Sequence, residues 1–329
     1  MIQAQLVAPR TFELIELPTP EPGAGEVLIQ VACVAVCGSE FAPYLGLATE
    51  FPLYKGVARY PRTVGHEASG LVQRVGAGVG GFAPGQAVAP RAALFATHAL
   101  ARAEDLVLVP DGMSLEHASL ALMGQETYYL CHEMLRIEPI DRVLIVGLGP
   151  FGMLCLEHAR DIGCRTLIAT DLQAGRLDLA RDLGATRTFN ASQVDLVQAI
   201  QEMGAPPSVV IECSGQPKPI QQAIRVAGAH GRIALAGRPS RPLQDFTIED
   251  VFHNLLTVMG GKVPAAGYTP WYRSIVLEMI RDQRIHADRH ITHVLPLDRV
   301  GDAFEIAIDP ARGGLKVVVD CRQTRSGQA

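Results

Sequence analysis

The most constraining stretch of this chain runs Arg142-Val143-Leu144-Ile145-Val146-Gly147-Leu148-Gly149-Pro150-Phe151-Gly152-Met153-Leu154-Cys155-Leu156. Its aliphatic run up to Val146 predicts a buried strand. Beyond Gly147 the apolar spacing turns helical, through Met153, Leu156, Ala159 and Ile162. The glycines fall as G-x-G-x-x-G at the strand-to-helix turn. Gly147 permits the tight turn, Gly149 lets a pyrophosphate approach the backbone, and Gly152 lets the helix lie close on the strand. Pro150 and Phe151 open a helix whose free N–H groups and positive dipole end suit phosphates. Such a motif alone is also met as a merely glycine-tightened turn. The next strand, 166–170, ends in Asp171, 24 residues after Gly147, where a carboxylate accepts both hydroxyls of an adenosine ribose. A carboxylate there repels a 2′-phosphate, so NAD is expected over NADP, a preference that Arg176 softens.

At 329 residues the chain has room for two domains. Its net charge of -5, with no basic run, argues against a nucleic-acid partner. No apolar stretch reaches the ~18 residues that cross a bilayer, and the N-terminus lacks the pattern of a secretory signal. The expectation is a cytoplasmic protein with no membrane association. Seven cysteines, at 33, 37, 131, 155, 164, 213 and 321, are scattered and odd in number. Six read as small buried hydrophobes, with Cys37 the exception.

Residues 1 to about 110 alternate short β-like runs with turns. Strands are expected over 12–17, 26–36, 69–75, 86–89 and 106–109, which suggests a small, partly open barrel. From about Ser114 the pattern becomes helical, through Tyr128 to Met134. After the glycine turn, β and α alternate: helix 176–183, strand 186–189, helix 194–203, strand 209–213, helix 220–226, then strands 232–236 and 255–259. That succession is a doubly wound parallel sheet. Gly237, just past strand 232–236, joins the residues expected at the cofactor. A helix over 271–280 and a strand over 315–319 close the chain.

Two patches carry polar residues that a simple barrel does not need, Cys37-Gly38-Ser39-Glu40 and Val64-Gly65-His66-Glu67-Ala68. A thiolate, an imidazole and a carboxylate from separate loops suit Zn²⁺, and three protein ligands leave a position for water or substrate. Glu40 is placed to hydrogen-bond the free ring nitrogen of His66 and fix its tautomer. Taken alone, a single cysteine and a single histidine are more often core filler and a satisfied loop histidine. The aromatics Phe41, Tyr44, Phe51, Tyr54 and Tyr60 flank these motifs, either walling a substrate pocket or packing on the barrel.

Cys37-Gly38-Ser39-Glu40, Gly65-His66-Glu67-Ala68-Ser69-Gly70, the turn from Val143 to Gly152, Asp171, Glu212-Cys213-Ser214-Gly215 and Ile291-Thr292-His293-Val294-Leu295-Pro296-Leu297 recur in this order. In combination they resemble the medium-chain zinc-dependent alcohol and polyol dehydrogenases, of the sorbitol and threonine dehydrogenase branch. The resemblance spans nearly the whole chain. It implies an α/β protein, with a Rossmann doubly wound parallel sheet inserted into a GroES-like β-barrel catalytic domain. The barrel would take residues 1–125 and 262–329, and the NAD-binding domain 126–261, with a cleft between them. Cys37 and His66 match zinc ligands, Glu67 the carboxylate that ligates zinc or moves on and off it in the polyol branch, Ser39 the hydroxyl that relays the substrate proton, and Asp171 the ribose-binding acid.

The implied activity is hydride transfer between an alcohol or polyol and NAD, with one catalytic zinc acidifying the alcohol. A homodimer or homotetramer is implied too, with strands 232–236 and 255–259 as its pairing edges. Four departures stand out. The position of a further helix ligand falls at Met123 or Gly124, so Glu67 is the third ligand or Glu126 reaches in from one turn away. Residues 82–104 hold no cysteine, so no structural zinc is expected. Glu40 stands where the pattern has Asp. Gly38 and Ala42 replace an Arg and a relay histidine of other members. The rival readings are a zinc-free quinone or enone reductase on the same fold and a non-catalytic NAD-binding protein.

Overall fold

The computed structural model describes residues 1–47, 59–91, 93–238, 243, 248–264 and 267–323. The chain forms two compact units, one of Met1–Gln125 with Tyr268–Ala329, the other of Glu126–Gly267. In the first unit, β1 (Ile2–Ala8) and β2 (Thr11–Glu16) form an antiparallel hairpin. There follow β3 (Glu26–Ala35), α1 (Phe41–Leu45), β4 (Glu67–Val75), β5 (Ala87–Pro90), β6 (His98–Arg102), β7 (Leu106–Leu108), α2 (Leu115–Ala118) and α3 (Ala121–Tyr128). The second unit holds β8 (Arg142–Val146), α4 (Pro150–Ile162), β9 (Thr166–Asp171), α5 (Ala174–Asp182), β10 (Arg187–Asn190) and α6 (Leu196–Glu202). It continues through β11 (Val209–Glu212), α7 (Pro217–Val226), β12 (Arg232–Leu235), α8 (Glu249–His253) and β13 (Thr257–Gly260). The chain returns to the first unit with α9 (Pro270–Arg281), α10 (Ala287–His290), β14 (Ile291–Pro296), α11 (Val300–Ile308) and β15 (Lys316–Asp320).

The first unit's large sheet runs β14-β15-β3-β4-β5-β7, and β6 also pairs with β3. β3 is its spine, because its residues are apolar and buried on both faces apart from Glu26 and Gln30. Antiparallel pairing sets Ala35 opposite Glu67 on one side and opposite Val318 on the other. Leu6, Val31, Val34, Phe95, Phe304 and Val317 lie in the core beneath. Tyr44 belongs to that core, 1% exposed and 4.7 Å from the Phe304 ring, with its hydroxyl donating to Glu305 at 2.8 Å. It therefore packs on the barrel and walls no pocket. Phe41 and Tyr60 pack against the same core. Phe51 and Tyr54 fall outside the described residues.

The second unit's sheet is wholly parallel, in the order β10-β9-β8-β11-β12-β13. Val143 and Ile145 of β8 enter one apolar cluster with α4, and Leu144 and Val146 enter another with α7. Burial on both faces explains why β8 is an unbroken aliphatic run rather than an alternating one. β12 lies between β11 and β13, so of the two strands expected to pair across a two-fold only β13 is an edge. The first unit resumes at Tyr268, and Gly267 lies close to both Val263 and the Tyr129 ring within the second unit. The stretch Tyr129–Met134 is a π-helical turn continuing from α3. The short β6 escapes a reading by pattern, since His98-Ala99-Leu100-Ala101-Arg102 carries no β-branched residue. No described helix is long and apolar enough to cross a membrane.

Asp141 ties the base of the parallel sheet together. Its carboxylate accepts from Arg232 Nη2 at 2.6 Å, Ser208 Oγ at 2.7 Å and the Glu138 N–H at 2.8 Å, while Arg232 Nη1 donates to Leu135 O at 2.6 Å. Burial opposes its charge, but these donors outweigh it and hold the carboxyl below its ordinary value. Asp141→Ala is expected to cost the second unit about 2 kcal/mol in urea unfolding at pH 7. A carboxyl held low contributes above its unfolded value, so the deficit relative to the parent should shrink as the pH falls below about 4.

Candidate metal centre and nucleotide turn

β3 leads directly into Cys37, whose backbone is still extended before a tight turn at Gly38–Glu40. β4 begins at Glu67, so the β3–β4 register delivers His66 and Glu67 beside Cys37. Ligand atoms of Cys37, His66 and Glu67 all lie within 4.8 Å of one another, the one such group of three or more among the described residues. Gly65 makes this approach feasible. Its φ is +117°, and a Cβ there would stand 2.8 Å from the Phe95 nitrogen and 2.9 Å from the Ala93 oxygen. Its N–H donates to Glu40 Oε1 at 2.6 Å, and the same oxygen is 3.0 Å from His66 Nδ1. Glu40, 6% exposed, thus holds both the turn and the ring. Engaging Nδ1 in this way suits an imidazole that offers its other ring nitrogen to a metal.

The electrostatics follow from this crowding. Burial disfavours charge on His66, but Cys37 and Glu40 beside it push its value up to about 11. Ser39 is exposed, and its hydroxyl donates to Cys37 Sγ at 3.2 Å. Glu67 is 2% exposed and pairs with a residue absent from the motif reading, Lys316 at the head of β15. The Lys316 ammonium also donates to Val36 O at 3.0 Å and lies 3.7 Å from Met123 Sδ. Burial works against that ammonium, yet Glu67, Cys37 and Glu40 together hold it above its ordinary value. The signal for Lys316 is a cation opening an otherwise apolar strand, Lys316-Val317-Val318-Val319. Its target is 249 positions away in the sequence and cannot be read from spacing.

A thiol, an imidazole with its second nitrogen engaged, and a buried carboxylate match the donor set of a catalytic zinc. Tetrahedral bonds of ~2.0–2.3 Å need only a small contraction of such a cluster. Met123 of α3 has its thioether 3.7 Å from the Lys316 ammonium, and a thioether is a poor zinc donor. Glu126, the alternative third ligand, belongs to the second unit.

In the second unit the glycine turn is built as a cradle. Gly147 has φ +93°, and a Cβ on Gly152 would lie 2.1 Å from the Gly147 oxygen, so both positions require glycine. A Cβ on Gly149 would meet nothing within 4 Å, which leaves the N-terminus of the 13-residue helix α4 open to a ligand. Pro150 is the first residue of α4, and Phe151 packs against the core. Asp171 ends β9 and braces this turn, accepting from the Leu148 N–H at 2.7 Å and the Gln173 N–H at 2.8 Å. Arg176 lies half-buried on α5.

The neighbouring loop is clamped by Glu212, missed as a functional residue by sequence. It accepts from the Ser214 N–H at 2.8 Å and the Gly215 N–H at 3.2 Å. Gly237 packs against it so closely that a Cβ would sit 2.2 Å from the Gly215 nitrogen. Cys213 packs against the core beside this loop but is only partly buried, short of the full burial expected for it.

Comparison with known proteins agrees with both halves. A zinc-binding dehydrogenase model matches residues 150–276, and an alcohol dehydrogenase GroES-like domain model matches residues 23–118. The chain thus carries the GroES-like and zinc-binding dehydrogenase domains, consistent with a zinc-dependent medium-chain polyol dehydrogenase. It is 28% identical to an L-threonine 3-dehydrogenase of Anaeromyxobacter dehalogenans, over 93% of this chain and 94% of that one. With the sorbitol dehydrogenase of Ovis aries it shares 27% identity, over 95% of this chain and 94% of the relative. Among solved structures, galactitol-1-phosphate dehydrogenase from Escherichia coli superposes with a TM-score of 0.85 at 22% identity, covering 97% of this chain and all of that one.

Because Glu40 fixes the ring of His66 and the Gly65 turn together, Glu40→Ala is expected to weaken binding of added Zn²⁺ by about 10–100-fold. Competition against a metal chelator reads this directly. An unchanged affinity would remove Glu40 from the centre.

Proposed function

We propose that this protein is a zinc-dependent, NAD-linked dehydrogenase that interconverts an alcohol or polyol, at a secondary carbinol, with its ketone. The observation that carries the reading is the convergence of Cys37, His66 and Glu67, from two adjacent strands, on one point. These three residues hold the ion, and Glu40 orients His66. Bound zinc supplies a Lewis acid that makes the substrate hydroxyl easier to deprotonate. Ser39, exposed at the rim, carries that proton toward solvent. The turn at Gly147, Gly149, Pro150 and Gly152 binds the pyrophosphate, and Phe151 and Gly237 shape the floor around it. A nicotinamide cofactor held at this turn would supply the hydride acceptor. The zinc-free reductase reading has no use for a buried carboxylate, thiol and oriented imidazole brought together.

The decisive test combines metal analysis with an NADH-absorbance screen over alcohols and polyols. About one zinc per chain with turnover supports the proposal, and Cys37→Ser or His66→Ala should lose the metal and about 10³-fold or more in kcat/KM. Turnover without metal would favour the enone reductase, and NAD binding without turnover a non-catalytic role.

NAD is preferred over NADP in this reading because the Asp171 carboxylate stands at the end of β9, where a 2′-phosphate would have to sit. Asp171→Ser is expected to shift the NADP-to-NAD ratio of kcat/KM upward by about tenfold or more, with Arg176 retained as the only cation of the pair. All seven cysteines are free, which suits a cytoplasmic setting. A homodimer or homotetramer is part of the proposal, supported by the outer strand β13 and by the exposed Phe252 and Leu255 near it.

A further inference from the structure

Lys316 is a buried charge in the first unit that the reaction does not use. It is 1% exposed, and its ammonium is held by a carboxylate that is itself 2% exposed. Its other contacts are the Val36 carbonyl and the Met123 thioether, both neutral. Desolvating an ammonium is costly, and a strand that needed only an anchor is served as well by an apolar side chain. β3 places this cation at the metal centre by register. Ala35 faces Val318, and the Val36 N–H donates to Val317 O at 2.9 Å, so Lys316 falls level with Cys37. Glu67 is fixed on the opposite side of the same strand. The carboxylate therefore lies between a resident monovalent cation and the position that the thiol and imidazole define for a divalent one.

We propose that Lys316 is a resident competitor for Glu67, a positioning residue whose fixed positive charge holds one carboxylate oxygen and keeps the third ligand exchangeable. This rests on reading Cys37, His66 and Glu67 as the metal ligands. Two cations sharing one carboxylate at a few ångströms repel strongly where water is excluded. Lys316 thereby weakens the grip on the ion and discourages Glu67 from chelating it through both oxygens. The place that α3 gives to Met123 offers no compensating donor, so ligand lability is concentrated in Glu67. A purely structural lysine has the opposite signature, since removing it would loosen the centre and lower its affinity.

The test compares the purified full chain with Lys316→Met, which preserves much of the side-chain volume. Zinc affinity is read by chelator competition and zinc release by transfer to a chromogenic chelator in excess. The expected result is zinc bound at least about tenfold tighter and released correspondingly more slowly in the variant. Equal or weaker binding in a variant with the parent's circular dichroism overturns the proposal and leaves Lys316 an anchor. A crystal structure of the zinc-loaded parent decides independently of any variant. Lys316 still paired with Glu67, which meets the ion through its other oxygen, supports the proposal. A Glu67 bound through both oxygens with Lys316 withdrawn overturns it. A parent chain that takes up no zinc at all defeats the metal centre itself and this inference with it, whereas zinc-dependent turnover with no change in Lys316→Met defeats only the inference.

Discussion

The antiparallel register of three strands governs the catalytic half of this protein. β3 runs through the centre of the sheet, and the residue opposite Ala35 is Glu67 on one edge and Val318 on the other. A register slip of one residue on either side would turn every side chain of that strand to the opposite face. It would carry Glu67 or Lys316 away from Cys37 and put a charge into the aliphatic core. The site is therefore specified by the same apolar patterning that stabilises the sheet. The loops contribute Cys37 and His66, but the strands determine where those loops begin.

The charge pattern at that point has its own logic. A thiol, two carboxylates and one ammonium are crowded into a region where Glu40, Glu67 and Lys316 are nearly inaccessible. Isolated, each buried ion would be strongly unfavourable. With the thiol deprotonated on binding a metal, the thiolate and two carboxylates would exceed the ammonium by two negative charges, the charge of one divalent ion. The high value of His66 in the chain alone has the same origin, because a proton on the imidazole offsets part of that excess. Metal and proton thus compete for the same surplus of negative charge.

How much of this was legible in the sequence depended on whether the signal was local. The strand–turn–helix from Arg142 to Leu156 could be read because its periodicity changes at Gly147, and because Gly152 has no room for a side chain against the turn oxygen. Glu40 was legible as a partner of His66 once both motifs were seen as loops after buried strands. Lys316 was not, because its meaning arises only when β15 pairs with β3 across most of the chain length. Tyr44 was open between two readings in the sequence, and the Phe12 and Phe304 rings decide for the core. The edge assignment of strand 232–236 failed for a similar reason, since strand order is a property of the assembled sheet.

The two units solve recognition in different ways. In the second unit the binding groups are backbone N–H atoms and missing side chains. Gly147 and Gly152 are required by the close packing of the turn itself, and Gly149 leaves the helix end open. Such a site depends little on side-chain identity beyond Asp171, whose carboxylate also accepts the Leu148 N–H and so links cofactor choice to the shape of the turn. In the first unit every essential group is a side chain, and each is oriented by another: His66 by Glu40, Glu67 by Lys316, Cys37 by the Ser39 hydroxyl. Substitutions should then act differently in the two halves. Those at the nucleotide turn act through backbone shape, while those at the metal centre act through charge and propagate to the neighbour left without its partner.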